Sequence, residues 1–104
     1  LAVQLTHKDI WLDFFQSCQY LVNQLDSDSE LLININDYCC SNQRGQVVLR
    51  FSKRFQQRIE NFNQQGYMPK SALVNYIVYW KKEDSNKEIK IILPKVIFVT
   101  ENVI

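Results

Sequence analysis

Glycine and proline are scarce in this chain, at two each in 104 residues, and histidine occurs once. Two glycines are too few to build a Gly-rich loop that cradles phosphate. His7 lies near the N-terminus, so a Ser-His-Asp or Cys-His arrangement would rest on one poorly anchored group. No catalytic signature is present, the expectation is a protein that is not an enzyme, and no cofactor is implied. There is no apolar run of about 18 residues, which excludes a transmembrane helix. Asp9 and Asp13 interrupt the only early apolar stretch, which argues against a signal peptide and against a membrane as partner.

The three cysteines, Cys18, Cys39 and Cys40, are an odd number, and two are adjacent, where a mutual disulfide would be strained. Vicinal cysteines also lack the two-residue spacer that lets a pair chelate zinc tetrahedrally. Free thiols in a reducing compartment are the expectation, which places the chain inside a cell, the nucleus included.

Apolar residues at 46% and charged residues at 22% are ordinary globular values, and the length suits one domain over residues 1–104. The net charge of +1 conceals an asymmetry. Residues 1–43 carry one lysine against six acids, whereas residues 44–95 carry eleven Lys/Arg against four acids. One end is thereby suited to an anionic partner. The acids Asp26, Asp28 and Glu30 read as a solvated turn.

Periodicity divides the chain into elements. Residues 10–22 fit a helix with a stripe of Ile10, Phe14, Cys18 and Leu21 continued by Leu25, yet their Trp, Phe, Tyr and Ile content favours a strand. Residues 30–38 alternate as a half-buried strand, with Leu31, Ile33 and Ile35 on one side. A turn over residues 41–45 supplies a glycine for positive φ, and residues 46–51 return as a strand. Ser52 is an N-cap for a helix to residue 65, whose apolar face is Phe55, Ile59 and Phe62. Gly66 suits its C′ position and Pro69 stops continuation. Residues 72–82 and 88–99 read as a closing hairpin, with Pro94 marking an edge, a bulge or a change of pairing.

Two stretches carry a resemblance. "ININDYCCSNQRGQVVLRFSKRF" is similar to the second and third strands of nucleic-acid-binding OB-fold domains, running into their helix. "SALVNYIVYWKKEDSNKEIKIILPKVIFV" resembles their closing hairpin. The similarity covers residues 30–99 and is one of layout. It departs at residues 75–78, where such domains commonly place a glycine to curl the strand, which argues against tight barrel closure. The resemblance implies a mainly β fold, a five-stranded OB-like barrel with one or two helices, and takes residues 10–22 as its first strand. The other architecture is α+β, with an N-terminal helix packed on an antiparallel sheet.

Single-strand binders combine basic grooves with aromatic platforms. The expected nucleic-acid-binding residues are Arg50, Lys53 and Arg54 around the helix start, and Tyr79, Lys81, Lys82, Lys87 and Lys90 on the hairpin. Lys53 and Arg54 oppose the helix dipole, which suits an anionic neighbour. The chain also resembles, in size, the small single-OB subunits of replication protein A-type and telomere-capping assemblies. That implies a DNA replication or telomere-maintenance role and a larger protein subunit as partner, beside single-stranded DNA or RNA. The apolar end, Val99, Val103 and Ile104, offers a docking point. The competing function is a protein–protein adaptor without nucleic-acid contact.

Overall fold

The computed structural model describes residues 1–81, 83, 84 and 86–100. The chain is mainly β. It comprises strands β1 (Ala2–Gln4), β2 (Glu30–Asn34), β3 (Cys39–Ser41), β4 (Val47–Arg50), β5 (Tyr67–Lys81) and β6 (Glu88–Thr100). A 3-10 helix (Leu12–Ser17), α1 (Gln19–Val22) and α2 (Lys53–Gln64) complete it. The strands form one antiparallel sheet in the order β1-β6-β5-β2-β3-β4, curled into a half-barrel.

Six strands rather than five follow from two local effects. The expected strand over residues 30–38 is broken by Asn34, whose Oδ1 accepts the backbone N–H groups of Asn36 and Asp37 at 3.0 and 3.2 Å. Tyr38 then takes a positive φ of 51°, and the chain reverses into β3. This side-chain turn competes with the ladder and wins. The sixth strand is β1, which pairs with β6 through Ala2↔Ile97, Val3↔Val96 and Gln4↔Lys95.

Residues 10–22 are not a strand. Ile10 makes a single bridge to Phe51, and the Trp11 N–H donates to the Arg50 carbonyl. The chain then coils, burying Phe15, Cys18, Val22 and Leu25 at intervals of three and four. Helical spacing prevails over the aromatic content, with Phe15 and Val22 in the core while Phe14 is half-buried. The Cys18 thiol reaches the Val48 carbonyl of β4 at 3.7 Å. A helix satisfies its own backbone while presenting such a stripe to the core. Residues 1–11 thus run from the β6 edge to the β4 edge and bridge the open side of the half-barrel.

Helix α2 matches its local signals. Ser52 Oγ accepts from the Phe55 N–H, Phe55 and Ile59 are buried, and Gly66 sits at φ 90° beyond the end. Strand β5 starts directly after it. It pairs with β2 only at Glu30↔Leu73 and Leu31↔Ala72, after which β2 turns to β3. Pro94 stands opposite Val74, and the register shift between Val74 and Tyr76 lies across from it, so β6 stays continuous.

Candidate nucleic-acid interface

The start of α2 is tied down by the N-terminal segment. The Ser52 N–H donates to the Asp9 carbonyl and Ser52 Oγ to the Lys8 carbonyl, at 2.9 and 2.8 Å. Asp9 itself is 1% exposed. Its Oδ2 accepts from the Thr6 N–H and hydroxyl, and its Oδ1 lies 3.7 Å from both Arg54 Nε and Arg58 Nη1. One buried carboxylate therefore faces two cations, of which Arg54, in the first turn of α2, would otherwise oppose the helix dipole.

That anchoring leaves a groove of about 710 Å³ between the α2 start, the 3-10 helix and the far end of β5. Ile10, Trp11, Leu12 and Phe51 supply its apolar wall with Trp80 from β5, while Asp13, Ser52, Lys53 and Gln56 supply its polar groups. Trp11 is 54% exposed, a large cost for an indole unless something covers it. Lys53 is exposed, half a turn from the side chains that hold α2 in place.

The expected site residues separate on this geometry. Lys53 lines the groove, and Lys81 follows the lining residue Trp80 at the exposed end of β5. Arg54 stands beside Asp9. Arg50 is half-buried on β4, its guanidinium 5.1 Å from the Phe14 ring centroid, a cation–π contact within the fold. Tyr79 is 63% exposed, but it pairs across the hairpin with Lys90 and so projects from the opposite side of the sheet to Trp80. Lys87 is exposed. Lys82, with Val103 and Ile104 of the expected docking end, lies outside the described residues.

Lys90 is not at the surface. It is 8% exposed and its ammonium donates to the Leu25 carbonyl at 2.7 Å. Ile89, Lys90, Ile91 and Ile92 are all buried, because the helical segment covers the second side of β6. Gln19 seals that edge: its Nε2 donates to the Lys90 carbonyl and its Oε1 accepts the Lys90 N–H, both at 2.9 Å.

The thiols are core groups. Cys18, Cys39 and Cys40 are free and buried, and burial pushes Cys18 up to about 11 and Cys40 further. They are held protonated, unsuited to nucleophilic work. Among the described residues no cluster of three or more His, Cys, Asp or Glu is placed to hold a metal ion.

Sequence reasoning did not single out Trp11, which lines the groove and is exposed. Asp13, two residues on, is an acid inside an aromatic run and a local signal that this stretch meets solvent. Comparison with protein-family models, with curated proteins and with solved structures finds no match.

Proposed function

We propose that this chain is a non-catalytic, OB-like module that binds single-stranded nucleic acid, with a base held in the groove between Trp11 and Trp80. The observation that carries this is the groove itself: two indoles on separate elements, a cation at its mouth, and a volume suited to a stacked base. The layout supports it. A meander of β2, β3 and β4 precedes α2, and the β5–β6 hairpin returns antiparallel to β2, with β2 in the place that the resemblance gave to residues 10–22. Residues 1–11 occupy the gap that direct pairing of β4 with β6 would close.

Lys53, Lys81 and Lys87 are the cations for the phosphates. About three such contacts give a slope near −2 in log affinity against log salt for a single strand. The test is a tryptophan-fluorescence titration with short single-stranded oligonucleotides. Each of Trp11→Ala and Trp80→Ala is expected to weaken binding about 5- to 150-fold, from stacking at about 1–3 kcal/mol. Absence of binding at low salt would sink the proposal and favour the adaptor role. Tyr76 and Val78, exposed on β5 outside the groove lining, are the surface on which a larger protein subunit would then sit.

A further inference from the structure

We infer that the free edge of β5, from Tyr76 to Lys81, pairs with the same edge of a second copy of this chain, in a two-fold antiparallel dimer centred on Tyr79. The inference goes beyond the nucleic-acid role and does not depend on it.

The hairpin ladder fixes which way the backbone points. The Lys90 N–H and C=O both bond the Gln19 side chain at 2.9 Å, on the side of β6 away from β5. In an antiparallel ladder, two residues directly opposite each other either exchange both bonds or both turn outward. Tyr79 stands opposite Lys90, so its N–H and C=O point away from β6. Alternation gives the same orientation to Ile77 and Lys81, opposite Ile92 and Glu88. On that side β5 is covered only as far as Val74, which bonds the Asp28 N–H and the Ser29 carbonyl at 2.7 and 2.8 Å. Among the described residues no backbone group meets Ile77, Tyr79 or Lys81 there. Such a row of unpaired donors and acceptors is a template for another strand.

The side chains of this edge match their own reversed order. A two-fold at Tyr79 sets Ile77 against Lys81 and Tyr79 against Tyr79, so every outward N–H and C=O finds its counterpart. On the other face Val78 of each copy meets Trp80 of the other, a cross-strand pair of a β-branched with an aromatic residue. Tyr76, Val78 and Tyr79 are all exposed in the single chain, and Tyr79 lies outside the groove lining. Lysine on an edge resists self-pairing where it meets another lysine, but Lys81 falls opposite Ile77, and no like charges are opposed from residue 77 to 81. The contact uses the same patch on both copies, so it closes at two and does not propagate. A standard interface takes about 20–30 residues a side, and this edge supplies far fewer, so the dimer is weak and concentration-dependent.

Sedimentation equilibrium of the full chain tests this over about 5 to 500 µM, the range that a small interface calls for. The mass is expected to climb from 12.4 kDa toward twice that value. Tyr79→Lys and Tyr79→Glu change an exposed side chain and leave the dichroism spectrum as it was. Each should stay monomeric, because like charges then meet on the two-fold, whereas an equimolar mixture of the two should dimerise. Tyr79→Cys brings two thiols together where paired Cα atoms lie about 5.5 Å apart, within disulfide reach. The native cysteines are buried, so mild oxidation should give a disulfide-linked dimer of this variant and not of the parent chain. A constant mass of 12.4 kDa overturns the dimer and leaves the edge to a strand of another protein. Dimers that survive in both charge variants, or a mixture that stays monomeric, overturn the pairing at Tyr79. None of these readouts involves an oligonucleotide, so failure here is distinct from failure of the nucleic-acid reading.

Discussion

The single residues that decide most in this fold are polar groups in apolar places. Asp9 and Lys90 are buried, and each is answered, by Thr6 with two arginines and by the Leu25 carbonyl respectively. Neither burial was legible in the sequence, because both partners of Lys90 lie more than 60 residues away and the arginines facing Asp9 more than 40. The cysteines make a testable case. Burial raises Cys18 from 9.0 to about 11 and raises Cys40 as well, so the unfolded chain ionises first as pH climbs. Their contribution to stability is complete below pH 9, and it is lost from pH 9 through 11 for Cys18 and over a range reaching higher for Cys40. The guanidinium midpoint is expected to hold from pH 7.5 to 9 and to fall above it, with a shallower fall in the Cys18→Ala/Cys40→Ala double variant. An identical alkaline fall in both proteins would assign it to lysines and tyrosines instead.

At the scale of elements, legibility tracks how local the determinants are. Helix α2 was readable because its cap, apolar face and terminating glycine lie within fifteen residues. Residues 10–22 were not, because composition and periodicity disagree there. The groove was out of reach altogether, since it forms from three separated segments. The helical segment also shows how a side chain stands in for a strand. Gln19 provides both a donor and an acceptor to Lys90, supplying what a neighbouring backbone would have supplied beyond the end of β1. Gln19→Ala leaves a part-buried N–H and C=O without that partner, an expected cost of about 1–3 kcal/mol. Hydrogen exchange at the Lys90 amide should accelerate in the variant while the Val96 amide, opposite β1, stays protected. Unchanged protection at Lys90 would mean that water replaces the glutamine at no cost.

For the whole molecule the question is whether a sheet that divides at β2 behaves as one unit. Strand β2 shares only two residue pairs with β5 and three with β3, a narrow seam between the long hairpin and the meander. Against separation stands the core, a single cluster that takes Val3 from β1, Phe15 and Val22 from the helical segment, Leu49 from β4, Phe55 from α2 and Phe98 from β6. Residues 1–11 add a covalent strap from one sheet edge to the other, and Asp9 on that strap also holds α2. Parting the seam would uncover apolar surface on both sides at about 25 cal/mol per Å², far more than a few released ladder bonds return. Unfolding is therefore expected as one cooperative transition, with a calorimetric enthalpy of about 70 kcal/mol equal to the van't Hoff value. Far-UV circular dichroism reports on the strands throughout, and tryptophan fluorescence reports on Trp11 and Trp80 at the groove. The two melting curves should coincide. A fluorescence transition well below the dichroism transition would show that the strap and the groove come apart before the sheet.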